Sequence, residues 1–167
     1  MSVNKYLPHV VIIPEDDANR QISIGFALKC VSKQLKTENS AGGWRRAVDY
    51  FLDEYAATMR MFTGRFVVLL IDCDGNPKRI ADIRGMLPDD IANRVFVLGC
   101  LDEPERLRSA GLGTFEEIGM RIADDCREGV MGHWDHDFLR HNLAELNNLR
   151  DLACGILWQS HVFQVVG

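Results

Sequence analysis

Two short, uninterrupted apolar runs stand out along the chain: His9-Val-Val-Ile-Ile-Pro14 and Phe66-Val-Val-Leu-Leu-Ile71. A run of five or six β-branched and aliphatic residues reads as a strand buried on both faces, the situation inside a parallel sheet. Val95-Phe-Val-Leu98 is a third, shorter run, and residues 33–38, Lys-Gln-Leu-Lys-Thr-Glu, read as a polar edge strand. Elsewhere apolar residues recur every three or four positions. Asp16 to Leu28 reads as a helix opening at its acidic end, with Ile22, Phe26 and Ile24 turned inward, although Gly25 weakens it. From Trp44 to Met61 the positions Trp44, Val48, Phe51, Leu52, Tyr55 and Met59 define a strongly amphipathic helix.

Gly75-Asn76-Pro77 is turn chemistry, with Pro77 suited to the first turn of a helix reaching about Met86. Thr114-Phe-Glu-Glu117 is a capping box and opens a helix whose inward stripe is Phe115, Ile118, Ile122 and Cys126. A last helix, about Phe138 to Leu157, carries Leu139, Leu143, Leu146, Leu149 and Ala153 on one side. Alternating strand and helix patterns predict an α/β fold: a three-layer sandwich with a mainly parallel four- or five-stranded sheet and helices on both faces. No repeat or linker interrupts the 167 residues. They are expected to form a single domain, with a core over about 9–105 and a C-terminal helical extension over 114–158.

Composition narrows the function classes. A net charge of −5 offers no overall attraction to nucleic acid. Five cysteines form no C-x-x-C pair, and their odd number fits reduced thiols better than a disulfide framework. No signal-peptide core appears, and no run approaches the ~18 apolar residues of a membrane span. The expected location is cytoplasmic, without membrane contact.

All three apolar runs end in carboxylates: Glu15 with Asp16 and Asp17, then Asp72 with Asp74, then Asp102, Glu103 and Glu105. Parallel α/β sheets hold ligands just beyond the carboxyl ends of their strands. Helix capping explains Asp16, Asp17 and Glu103, because a helix N-terminus favours negative charge. It explains Glu15, Asp72 and Asp74 less well, since these directly continue buried strands. Clustered like charges are costly unless a cation neutralises them. If strand geometry persists, Asp72 and Asp74 share one face about 7 Å apart, suited to one hard cation.

A glutamate ending the first strand, followed by Asp-x-Asp ending a later hydrophobic strand, resembles the Toprim domain of topoisomerases, bacterial primases, RecR-like proteins and the overcoming-lysogenization-defect nucleases. Glu15 and Asp72-Cys73-Asp74 carry the match, which covers about residues 9–105. The resemblance implies Mg²⁺- or Mn²⁺-dependent phosphodiester hydrolysis on nucleic acid by a small stand-alone nuclease of a phage-defence or DNA-repair system. It implies catalytic roles for Glu15, Asp72 and Asp74, and metal binding by these and by Glu105, with Glu103 as a substitute. Contact with nucleic acid would then come through a homodimer or a partner protein such as an ATPase.

The pattern also departs from the family. Asp16 and Asp17 stand where a glycine usually follows the glutamate, and the topoisomerase tyrosine domain, primase zinc region and RecR zinc finger have no room or no counterpart here. Two alternatives remain. One is a non-enzymatic, Toprim-derived interaction module whose acids are structural or bind a cation without turnover. The other is a haloacid-dehalogenase-like phosphatase with Asp72 as nucleophile and Asp74 as acid/base; it lacks a suitable downstream lysine, Lys78 being only four residues past Asp74.

Arg20, Lys78 and Arg79 are the candidate phosphate-binding residues, with Arg45 and Arg46 as further cations that could line the same carboxyl edge of the sheet. His133-Trp-Asp-His136-Asp137 and His141 are dense in possible metal ligands, but the spacing favours a polar loop capping the last helix through Asp135 or Asp137. His136 or His141 is a further candidate, as a proton shuttle at the acid site. Cys73, between two aspartates, is expected to face the core, with its pKa raised. Gly111-Leu-Gly113 reads as a turn rather than a phosphate loop.

Overall fold

A computed structural model describes residues 3–158. Four strands, β1 (His9–Pro14), β2 (Leu35–Thr37), β3 (Arg65–Leu70) and β4 (Val95–Leu98), form an all-parallel sheet in the order β2-β1-β3-β4. Ile12 of β1 lies opposite Thr37 on one side and Val68 on the other. Every residue of β1 and β4 is buried, as the unbroken apolar runs predict for strands covered on both faces.

Alternate strand residues feed two separate cores. Val10, Ile12, Val68, Leu70, Phe96 and Leu98 pack with α1 (Asp17–Leu28), α6 (Phe115–Glu128) and α7 (Leu143–Trp158). Val11, Ile13, Val67, Leu69, Val95 and Val97 pack with the segment Trp44–Met61 and with α4 (Arg79–Arg84). Residues 114–158 thus share one core with the sheet.

Trp44–Met61 is helical throughout, as its apolar spacing predicts, but it is not uniform. Between α2 (Trp44–Tyr50) and α3 (Ala56–Met61), residues Phe51–Tyr55 form a π turn. Phe51, Tyr55 and Met59 are buried. The Tyr55 hydroxyl donates to Glu38 at the end of β2.

Three helical spans differ from the sequence reading, each for a local reason. The helix expected from Pro77 starts only at Arg79, because the Asn76 side chain accepts the Lys78 amide at 3.0 Å and holds a turn through Pro77. The short helix α5 (Pro104–Ser109), with Pro104 at its start, has too few residues for an apolar period to reveal it. The last helix begins at Leu143, after a 3₁₀ turn over Arg140–Asn142, and Leu143 is 45% exposed rather than part of the inward stripe. The Thr114 capping box is present as read: Thr114 and Glu117 each accept the other's backbone N–H.

Two glycines set the spacing of α1 and α6. A β-carbon on Gly119 would lie 2.0 Å from the Ile22 carbonyl oxygen, and one on Gly25 would lie 1.9 Å from that of Glu116. Both obstacles are backbone and cannot rotate away. The Gly25 that weakens α1 on propensity is therefore required by packing. Gly119→Ala is expected to push the helices apart and destabilise the protein by about 1–3 kcal/mol or more, read as a lower urea midpoint.

Among the described residues, the outer edge of β4 is closed by side chains instead of a fifth strand. Glu145 accepts the Val97 N–H at 3.1 Å, and Asn142 accepts the Gly99 N–H at 3.0 Å. Asn142 also donates to the Gly99 and Leu139 carbonyls at 2.9 and 2.8 Å. Arg84 donates to the Val95 carbonyl at 2.6 Å while pairing with Glu145 through both carboxylate oxygens. An exposed strand edge invites pairing with another chain, and this one is occupied at residues 95, 97 and 99.

Candidate functional site

In a sheet ordered β2-β1-β3-β4, the chain leaves β1 and β3 in opposite directions. The crevice between their carboxyl ends is the usual ligand position of such folds. Glu15 follows β1 and Asp72 follows β3, so the sequence delivers both acids to that crevice.

Glu15 continues the sheet with its side chain. Its backbone N–H donates to the Leu70 carbonyl at 2.9 Å, and its carboxylate then accepts the Asp72 N–H at 2.7 Å. The carboxylate stands in for the next strand carbonyl where β1 has turned away. Glu15's own carbonyl accepts from Gly42 and Gly43 at 2.8 and 3.1 Å, and Gly42 adopts φ 89, a conformation glycine reaches without strain. Burial raises the Glu15 pKa above the ordinary range, the Asp72 amide opposes the rise, and the charges of Asp74 and Asp16 add to it.

Asp72 is 5% exposed. One of its oxygens accepts from the Asn19 amide at 3.0 Å, and the same nitrogen donates to Asp16 at 3.0 Å. Asp16 is the N-cap of α1 and also accepts the Asn19 backbone N–H at 2.9 Å. A single buried asparagine therefore joins the cap of α1 to the end of β3. The Asp72 pKa is pushed up to about 8, chiefly by burial; the Asn19 hydrogen bond opposes this, while Asp16, Glu15 and Asp74 reinforce it.

Asp74 does not share a strand face with Asp72. Strand β3 ends at Leu70, and Asp74 takes φ 49, the left-handed region, turning its side chain outward where it is 53% exposed. The N–H groups of Cys73 and Gly75 donate to Cys100 and Leu101, so the turn stays anchored beside the extension of β4. Arg79 pairs with Asp74 at 3.3 Å, reaches the Asp72 carbonyl at 3.4 Å, and lies over the Trp44 ring at 4.4 Å. Arg45 lies over the same ring at 5.0 Å.

The other candidates fall elsewhere. Glu105 is exposed in the first turn of α5 and lines a shallow cleft with Arg108 and Ser109. Glu103 is exposed at the N-cap of that helix. Arg20 pairs with Asp17 at 3.5 Å, and Lys78 is exposed. Cys73 is 1% exposed and its thiol pKa is pushed up to about 11 by burial. His141 comes within 3.9 Å of the Cys73 sulfur, and burial lowers its pKa. His133 pairs with Asp125 at 2.8 Å. Asp135 and Asp137 pair with Arg140 and do not cap α7.

Among the described residues no group of three or more His, Cys, Asp or Glu side chains is placed to hold a metal ion. The donors present are nonetheless hard oxygens, and Mg²⁺ commonly binds through one or two carboxylates while keeping its waters. Asp72 and Asp16 fit that requirement in kind. Sequence reading missed Asn19 and Trp44 as parts of the site. Asn19 follows Asp16 by three residues, an N-cap spacing that points its side chain back at the acids, and this was the available signal. No helix among the described residues is long and apolar enough to cross a membrane. No family model matches this chain, and neither a curated protein nor a solved structure matches it.

Proposed function

We propose that this chain is a non-enzymatic interaction module, a Toprim-like three-layer sandwich whose acid crevice takes Mg²⁺ or Mn²⁺ without turning over a substrate. The observation that carries this reading is the bond from the Asp72 amide to the Glu15 carboxylate. A glutamate whose Oε2 completes the sheet ladder is held in a structural role at the end of β1. Asp16 is likewise engaged as a helix cap, and Asp74 by Arg79. Asp72, with Asp16 beside it, would hold the ion. Bound there, a divalent cation would neutralise the charge that burial makes costly.

A second reading, Mg²⁺-dependent phosphodiester hydrolysis on nucleic acid, is favoured by the Asp72 carboxyl with its pKa near 8, the kind of perturbed group found where acid/base chemistry occurs. The net charge of −5 weighs against it, unless a partner protein or a second copy supplies the basic surface.

Titration calorimetry with MgCl₂ and MnCl₂, run beside a plasmid-nicking assay, separates the two. The module reading expects metal binding in the millimolar range or tighter, lost in Asp72→Ala, with no nicking. Metal-dependent nicking abolished by Asp72→Ala establishes hydrolysis instead. No binding by either metal removes the cation from both readings.

A further inference from the structure

On the side of the sheet that carries α1, α6 and α7, two cysteines from different helices meet. The sulfur of Cys126, in the buried stripe of α6, lies 3.3 Å from that of Cys154 on α7. A disulfide needs about 2.05 Å, so roughly an ångström of side-chain movement separates the thiol pair from a bond. Cys126 is 2% exposed and Cys154 half-buried, so the side of Cys154 is the shorter way in for a small reagent.

We propose that Cys126 and Cys154 form an oxidation site that closes to an intramolecular disulfide in the presence of a hydroperoxide, tying α6 to α7. The Cys126 thiolate takes the terminal oxygen of the peroxide and becomes a sulfenic acid, and the alcohol (or water) leaves with the proton Cys126 gave up. The Cys154 sulfur then attacks the Cys126 sulfur. The S–O bond breaks, the S–S bond forms, and hydroxide departs as water with the Cys154 proton. Two thiols are oxidised and one peroxide is reduced.

The surroundings explain why this pair reacts and the other three thiols do not. The Cys126 pKa is lowered, first by the hydrogen bond that the Cys154 thiol donates and then by the neighbouring Arg150 guanidinium. Arg150 is held in place through its bonds to the Asp125 and Val130 carbonyls, and its buried Nε has no hydrogen-bond partner. Reactive cysteines are those held near positive charge, because the thiolate is the nucleophile. Burial pushes Cys30 and Cys100 up to about 12 and Cys73 to about 11, which keeps all three protonated. Cys30 is the nearest competitor, but its thiol donates to the Phe26 carbonyl at 3.5 Å.

The test uses the full chain, reduced and then exposed to hydrogen peroxide. The expected result is an intact mass lower by two hydrogen atoms, a free-thiol count falling from five to three, and a proteolytic cross-link joining the peptides of Cys126 and Cys154. Cys30→Ser should behave like the parent. Cys154→Ser, at the less buried position, should keep its fold and lose the cross-link, as should Cys126→Ser. A cross-link through Cys30, a disulfide between two chains, oxidation of Cys126 without a disulfide, or five thiols surviving the treatment each overturn the proposal.

Discussion

Glu145→Ala is expected to lower stability by about 2–4 kcal/mol, the consequence of removing a buried carboxylate that accepts from a guanidinium and from a strand amide. For a protein of this size that corresponds to a thermal midpoint lower by roughly 10 °C. Glu145 is 7% exposed and holds both Arg84 and the Val97 amide. Its loss leaves the half-buried Arg84 guanidinium without its carboxylate and an N–H of the edge strand without an acceptor. Removing the charge from both partners, as in Arg84→Met with Glu145→Leu, should recover part of the loss, because no buried charge is left alone. Recovery will be incomplete, since the Val97 amide and the Ala92 and Val95 carbonyls still lack partners. A urea denaturation series reads both effects. A Glu145→Ala protein as stable as the parent would show that the β4 edge does not depend on this cap.

Asp72→Asn should abolish most of the fall in stability that the parent shows as pH rises. Folding raises the Asp72 pKa from 3.8 to about 8, so between these values the native state holds a proton that the unfolded chain has released. Stability must then decrease as pH increases through that window, by an amount on the order of 5–6 kcal/mol at 1.36 kcal/mol per unit. His9 and His141 act in the opposite sense. Burial lowers both, so their contribution is lost as pH falls through the histidine range near 6.5 and is complete above it. Between pH 6.5 and 8 the Asp72 effect is therefore the least obscured. Glu15, also raised, leaves a smaller slope of the same sign in the variant.

The measurement is the denaturation midpoint of parent and variant from pH 5 to 8, with and without MgCl₂. The two curves should diverge as pH rises, with the variant more stable at pH 8. Added Mg²⁺ should stabilise the parent, more strongly at higher pH because the ion displaces a proton, and should leave the variant unchanged. Parallel pH profiles would mean that Asp72 ionises as readily folded as unfolded, so that burial beside Glu15 and Asp16 does not hold its proton.

What the amino-acid pattern decided by itself was local and periodic. His9–Pro14 and Val95–Leu98 are strands because a continuous β-branched run can be satisfied only between two apolar layers. The Thr114 cap and the Asp16 cap follow from side chains reaching amides three residues on, which needs no tertiary contact. The gathering of Glu15 and Asp72 at one edge was also legible, because each acid ends a strand of the same parallel sheet. What those acids do there was not. Glu15 serves as a rung of the ladder, Asp74 turns away through a left-handed backbone, and Asn19 bridges Asp16 to a residue 53 positions along the chain. Among the described residues the sheet likewise ends at β4, where Asn142 and Glu145, some 45 residues downstream, supply the edge with its hydrogen bonds. Hydrogen bonds between distant segments have no period in the sequence, so only the folded chain selects which donor meets which acceptor.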